Sequence, residues 1–127
     1  MAVLELVTLL ALIEYVVLAL MVGSARARFG VAAPATTGDP TFERYFRVQQ
    51  NTLEALIVFL PALWIFAQRV NHWGAIILGL VFIAARAEYA RGYIRAAEGR
   101  RLGARVTLAV NAILLVGGLL GLIAHAL

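Results

Sequence analysis

Residues 43–59 read Glu43-Arg-Tyr-Phe-Arg-Val-Gln-Gln-Asn-Thr-Leu-Glu-Ala-Leu-Ile-Val-Phe59, a polar segment that becomes apolar without a break. Seven of its first twelve residues are charged or carry an amide. Because successive residues of an α-helix are rotated by about 100°, Arg47, Asn51 and Glu54 lie on one stripe about 60° wide. A guanidinium, an amide and a carboxylate are poorly suited to face lipid. Together they favour a pocket for a small zwitterion.

The composition of the whole chain is typical of a membrane protein. Its 127 residues are 63% hydrophobic and only 14% charged, with a mean hydropathy of +0.90, whereas a soluble domain is roughly half apolar and a quarter charged. The absence of cysteine excludes disulfides, thiolate metal sites and a cysteine nucleophile, and we predict no metal. The net charge of +4 comes from arginine alone. Since these arginines adjoin apolar runs, we do not predict a nucleic-acid partner.

Four apolar segments predict one all-α domain over residues 1–127, an integral membrane four-helix bundle with helices at about 3–22, 42–67, 73–99 and 104–126. Each segment has near the ~20 residues that a bilayer crossing needs. Pro34, Gly38 and Pro40 interrupt the connection between the first two helices. Pro61 should kink or loosen the second helix.

The placement of the arginines predicts the orientation in the membrane. Ten of the eleven, all but Arg69, lie near the connection between the first two helices or the one between the last two. The positive-inside rule then places both connections in the cytoplasm and both termini on the opposite side. The first segment carries Glu5 and Glu14 and lacks a basic start, which argues against a cleavable signal peptide.

The third helix carries a second polar cluster at the same membrane depth. Arg86 and Tyr93 are seven residues apart and share a face, and Arg100 follows on that face if the helix continues. The opposite face carries Glu88, Arg91 and Arg95. An arginine at the bilayer centre costs roughly 2.5–3.5 kcal/mol, so these groups either pair with glutamates and fix the bundle or bind an anion. The surplus of arginines over carboxylates favours the anion.

Other polar residues have simpler interpretations. Tyr45, Tyr89 and Tyr93 lie near the predicted ends of the helices, where tyrosine is a typical anchor at the membrane interface. His72 and His125 are isolated in the sequence, and we interpret them as solvated residues rather than metal ligands. Glu14, inside the first helix, is a candidate functional residue, most simply the partner of an arginine elsewhere in the chain or in another subunit.

Two stretches resemble signatures of a known family, the membrane-associated proteins in eicosanoid and glutathione metabolism (MAPEG). Phe42–Glu54 resembles its helix-two signature, in which an arginine, an asparagine and a glutamate recur at this spacing. Glu88–Arg95 resembles its helix-three signature, with two tyrosines four residues apart. Ser24–Arg26 and Thr36–Gly38 are similar to the microsomal glutathione transferase and leukotriene-C synthase branch. The likeness runs over nearly the whole chain.

The resemblance implies a homotrimer with a glutathione site at each subunit interface, open to the cytoplasm, with glutathione as co-substrate. It implies that the tripeptide is held by Arg47, Asn51, Glu54, Tyr89 and Tyr93, with Arg26 and Gln49 from the neighbouring subunit. Arg100 matches the arginine that the family places against the thiol, which makes it the expected catalytic residue. The chemistry agrees, because guanidinium groups bind carboxylates and a glutamate suits the ammonium group.

Three positions differ from the leukotriene-C synthase pattern. Ala27 stands where that branch has a second arginine, Ala55 replaces an aromatic residue near glutathione, and Ala112 replaces a tryptophan over the lipid tail. We therefore expect a broad glutathione transferase or peroxidase, acting in detoxification on hydrophobic electrophiles or lipid hydroperoxides, rather than an eicosanoid-specific enzyme. Two alternatives stay open: a non-catalytic lipid-binding protein of the same fold, and a four-span transporter. The edge position of the charges argues against the transporter.

Overall fold

The computed structural model describes residues 1–127 and contains four long helices and no strand. The elements are α1 (Ala2–Phe29), α2 (Pro40–Arg69), α3 (His72–Arg95), a short 3₁₀ helix (Ala97–Arg100) and α4 (Arg101–Ala126). All four long helices are long and apolar enough to cross a membrane. The predicted fold class, an all-α membrane bundle of four helices, is confirmed.

The first helix continues beyond residue 22, where the sequence suggested its end. One glycine inside a helix costs only about 1 kcal/mol, so Gly23 does not stop α1. The helix ends at Gly30, whose φ of 69° is left-handed and whose N–H donates to the carbonyl of Arg26. Glycine favours this conformation because it has no Cβ. The connection to α2 is therefore short and includes residues 31–39.

The start of α2 is fixed by a local cap. The Asp39 carboxylate accepts hydrogen bonds from the N–H groups of Thr41 and Phe42, both at 2.9 Å, and Pro40 occupies the first turn, where its missing N–H costs nothing. The helix then runs through Pro61 to Arg69 without interruption. This cap fixes where α2 begins, just before the segment that carries Arg47, Asn51 and Glu54.

The third helix ends earlier than the sequence suggested. It stops at Arg95, Ala96 is extended, and the next four residues form the 3₁₀ helix before α4 begins. Arg100 therefore does not extend the face of α3 by helical continuation. It reaches that side of the bundle because the chain folds back.

The interior of the bundle has an apolar half and a polar half. In the apolar half, the rings of Phe59 and Phe82 stack with centroids 3.8 Å apart, inside a cluster of 13 buried residues. In the half where the arginines gather, the buried residues include Thr52, Arg86 and Thr107. Large apolar side chains cover the outside, as expected for a surface that faces lipid. The polar half is where a site can form.

Candidate functional site

A cavity of about 290 Å³ opens at the polar end of the bundle. It lies between the α1–α2 connection, the first half of α2, the last turns of α3 and the 3₁₀ helix. Its lining consists of Thr36, Thr37, Glu43, Phe46, Arg47, Gln50, Asn51, Glu54, Tyr89, Tyr93 and Arg100. The structure thus brings together six of the eight residues that the sequence analysis selected. We call this space the polar cavity.

The α2 wall of the polar cavity is the stripe expected from the sequence. Arg47 and Glu54 are exposed in the cavity and form no ion pair within the chain. The stripe also includes Glu43 and Gln50, which fall at the same helical spacing and which the sequence analysis did not select. A cation and an anion on one helix face, each without a charged partner, can bind the opposite charges of a zwitterion.

The α3 wall consists of two aromatic rings. Tyr89 and Tyr93 are buried, and their rings meet edge to face with centroids 5.5 Å apart. Across from them, the guanidinium carbon of Arg100 lies 5.2 Å from the centroid of the Tyr93 ring. Arg100 itself is exposed and belongs to no ion pair within the chain. Its positive charge is therefore available to a ligand.

Arg86 lies behind this wall and joins three helices. It is 1% exposed and donates hydrogen bonds to Asn51 (2.8 Å) and Thr52 (2.9 Å) on α2 and to Thr107 (3.3 Å) on α4. Each threonine hydroxyl donates to the carbonyl four residues earlier in its own helix, which turns its oxygen lone pair towards Arg86. Since the Asn51 oxygen accepts from Arg86, the amide nitrogen of Asn51 is free for the polar cavity. The guanidinium carbon also lies 4.2 Å above the Tyr89 ring.

A second cavity, of about 310 Å³, adjoins the first and shares Asn51 and Glu54 with it. The remaining lining residues are Ala55, Arg86, Ala104, Thr107, Leu108 and Asn111. Leu108 is 72% exposed on the outer face of α4, so this space lies next to the apolar outer surface of the bundle. We call it the membrane-side cavity. The two cavities are therefore contiguous, and only the second has apolar residues of α4 in its wall.

Arg26 and Gln49 lie outside the polar cavity of their own chain. The Gln49 amide donates to the hydroxyl of Tyr15 at 2.8 Å, and Arg26 donates to the carbonyl of Ala35 at 2.7 Å while its guanidinium lies 4.9 Å from the Phe42 ring. Gln49 is thus bonded to α1, and Arg26 is bonded to the connection that follows α1. Their expected contribution to a neighbouring subunit's site stays a prediction.

Ion pairs do not hold this bundle together. The single salt bridge in the chain joins Arg91 and Glu88 at 2.6 Å on the exposed face of α3. Glu14, for which the sequence suggested an arginine partner, forms no ion pair within the chain, and its Oε1 atom is buried without a hydrogen bond. The interpretation of the arginines as structural pairs thus has little support. No group of three potential metal ligands occurs in the chain.

Comparison with known proteins agrees with this geometry. Residues 4–120 match the model of the MAPEG family. The chain is 49% identical over 118 residues to an uncharacterised protein of Synechocystis, an alignment that covers 93% of this chain and 86% of that protein. It is 41% identical over 116 residues to human microsomal glutathione S-transferase 2 (91% and 79% covered). It is 38% identical over 126 residues to bovine leukotriene C4 synthase (99% and 84% covered). The chain therefore belongs to the MAPEG family.

Proposed function

We propose that this protein is a membrane-bound glutathione transferase that forms the glutathione thiolate and directs it at hydrophobic electrophiles or lipid hydroperoxides. The observation that carries the proposal is the polar cavity. It places Arg47, Asn51 and Glu54 opposite two tyrosines and Arg100, and its charged groups have no ion-pair partners within the chain. The names of two relatives, a microsomal glutathione S-transferase and a leukotriene C4 synthase, support the same chemistry.

The charges of glutathione match those of the cavity. Glutathione carries two carboxylates, an ammonium group and a thiol. Arg47 suits a carboxylate because a guanidinium can bind it through two hydrogen bonds. Glu54 suits the ammonium group, and the free amide nitrogen of Asn51 suits a carboxylate or peptide oxygen. The rings of Tyr89 and Tyr93 exclude water from one side.

Arg100 is the proposed activator of the thiol. A cysteine thiol has a pKa near ~8.5, so only a few per cent is thiolate at neutral pH. Lowering this pKa by about two units requires roughly 2.7 kcal/mol of preferential stabilisation of the anion. A guanidinium in a partly dry site can supply it. The thiolate then forms a bond to an electrophilic carbon while the bond from that carbon to its leaving group breaks. With a hydroperoxide the thiolate takes the terminal OH group, which gives glutathione sulfenic acid and an alkoxide that is protonated by water. A second glutathione converts the sulfenic acid to the disulfide and water.

The membrane-side cavity is the proposed place of the electrophile. It adjoins the polar cavity at Asn51 and Glu54, and Ala55, Ala104 and Leu108 give it an apolar wall next to the lipid-facing surface. Ala55 lines this cavity, and its small side chain leaves room that an aromatic residue would fill. We therefore propose a broad range of substrates.

The complete site is proposed to form in a homotrimer whose arginine-rich end faces the cytoplasm. Arg26 and Gln49 do not line the polar cavity of their own chain, and in this proposal they complete that of a neighbour. Cytoplasmic glutathione would reach the cavity directly from that side.

One experiment tests this function. The purified protein with glutathione is expected to show thiolate absorbance in the ultraviolet and turnover of a hydrophobic electrophile. Arg100→Ala should abolish both and leave the assembly mass unchanged, whereas Arg105→Ala, on the exposed side of α4, should keep both. Unchanged turnover in Arg100→Ala would reject Arg100 as the activator. If calorimetry detects no binding of glutathione at millimolar concentration, the lipid-binding alternative is favoured instead.

A further inference from the structure

Two glycines meet where the chain folds back after α3. Ala96 is extended, its N–H donates to the carbonyl of Gly92 at 3.2 Å, and its carbonyl accepts the N–H of Gly99 at 2.9 Å. These two bonds bring the backbone of Gly99 directly against that of Gly92. The 3₁₀ helix thereby lies on the last turn of α3.

This contact has no room for a side chain at either position. A Cβ atom at Gly92 would overlap the carbonyl group of Gly99, and a Cβ atom at Gly99 would overlap the carbonyl group of Gly92. The obstacle is backbone in both cases, so a flexible side chain cannot move aside to relieve it. Neither glycine has a positive φ. Glycine is needed here for the close approach and not for an unusual conformation.

The glycine contact also sets the position of the proposed thiol activator. Arg100 directly follows Gly99, and Tyr93 directly follows Gly92. The contact between the two glycines therefore brings these two residues together, with the guanidinium carbon of Arg100 5.2 Å from the centroid of the Tyr93 ring. Arg100 is exposed and has no ion pair within the chain that could hold it. Its position therefore depends on the backbone of the 3₁₀ helix.

We infer that Gly92 and Gly99 are positioning residues for thiolate formation, because their contact holds Arg100 at the polar cavity; this inference rests on the proposed function. The other proposed glutathione contacts within the same chain lie on α2 and α3 and do not depend on the 3₁₀ helix. A displacement of this helix should therefore weaken activation of the thiol and leave binding of the tripeptide nearly intact. In enzymes, a misplacement of about 1 Å can cost roughly a hundredfold in rate.

The test is a comparison of pH–rate profiles for Gly99→Ala and the unchanged protein. The pKa of bound glutathione, measured by thiolate absorbance, should rise by about one unit, which lowers kcat about threefold at pH 7 and approaches about tenfold at lower pH. KM for glutathione should change by less than about threefold, and activity should recover as the pH is raised. Gly92→Ala should give the same result. An unchanged profile in both variants would overturn the inference.

A matched control separates positioning from general loss of stability. A Cβ atom at Gly121 would lie 2.8 Å from the carbonyl oxygen of Arg69, so Gly121→Ala also disturbs a tight helix contact, but at the opposite end of the bundle. It should lower thermal stability without moving the pH–rate profile. In the Arg100→Ala background, Gly99→Ala should cause no further rise in the pKa of bound glutathione in an ultraviolet titration to high pH, since both act through one group. An equal shift in Gly121→Ala, or additive shifts in the double variant, would contradict the inference.

A further measurement does not depend on glutathione. The N–H of Ala96 donates to the carbonyl of Gly92 and the N–H of Gly99 donates to the carbonyl of Ala96, so the exchange of these two amide hydrogens with solvent reports the packing of the 3₁₀ helix on α3. Gly92→Ala should make this exchange several times faster, because the displaced segment is less well held. Equal rates would overturn the contact itself. An absence of turnover in the unchanged protein would instead reject the proposed function, and hydrogen exchange would still decide the role of the glycines.

Discussion

At the scale of the residue, the polar cavity is defined by charges that have no partner within the chain. Glu54 is its most informative member, because it lies where the polar and membrane-side cavities meet. Glu54→Gln should raise the dissociation constant of glutathione at least about tenfold, since a hydrogen bond to a charged group loses its ionic part. Isothermal titration calorimetry measures this change. Glu88→Gln is the matched control, because Glu88 pairs only with the exposed Arg91, and it should bind glutathione normally. Equal affinity in both variants would remove Glu54 from the site.

Asn111 lines the membrane-side cavity together with Arg86 and Thr107. Its amide nitrogen donates to the carbonyl of Ala55 at 3.3 Å, which fixes the amide orientation and leaves Oδ1 buried without a partner. Because a buried unsatisfied acceptor is costly, Asn111→Leu should leave the thermal midpoint in detergent unchanged or raise it. Thr107→Val removes an acceptor of Arg86 and should destabilise by about 1–3 kcal/mol. A loss in Asn111→Leu as large as that in Thr107→Val would show that Oδ1 has an unseen role.

At the scale of the element, the end of α1 depends on Gly30 and not on Gly23. Gly30 has a left-handed φ of 69°, so Gly30→Ala should destabilise by about 1 kcal/mol and release the connection that Arg26 supports. At Gly23 an added Cβ atom has nothing within 4 Å, so Gly23→Ala should be neutral or stabilise by up to about 1 kcal/mol. Thermal unfolding of the Gly30→Ala and Gly23→Ala variants measures both changes in stability within the same helix. If Gly23→Ala were the less stable of the two variants, the end of α1 would depend on Gly23 and not on Gly30.

The same elements show how far local sequence patterns reach. The stripe of Arg47, Asn51 and Glu54 could be predicted because helical periodicity and an Asp39 cap are local signals. The end of α3 could not be, because it depends on a contact between Gly92 and Gly99 that exists only once the chain has folded back. The partners of Arg86 were missed for a related reason: Thr52 and Thr107 carry no charge and lie on other helices. Only the packing of the bundle brings these groups together.

At the scale of the whole molecule, the polar cavity of one chain contains Arg47 and Arg100 but neither Arg26 nor Gln49. In a homotrimer with interface sites, each site would combine Arg100 of one subunit with Arg26 of the next. Arg100→Ala and Arg26→Ala subunits should each have low activity alone. Co-expressed in equal amounts, they should regain activity at about one interface in four, because that share pairs an intact Arg100 with an intact Arg26.

The matched control combines two variants from the same wall. Arg47 and Arg100 belong to the polar cavity of a single chain, so any mixture of Arg47→Ala and Arg100→Ala subunits leaves every site with one defect. This mixture should regain nothing, and its assembly mass should equal that of the other mixture. Recovery in both mixtures would show that Arg47 and Arg100 act in different sites. Recovery in neither, with trimers confirmed by mass, would mean that Arg26 serves the connection of its own chain, where it already donates to the carbonyl of Ala35. The difference between the two mixtures therefore decides whether the site is shared between subunits.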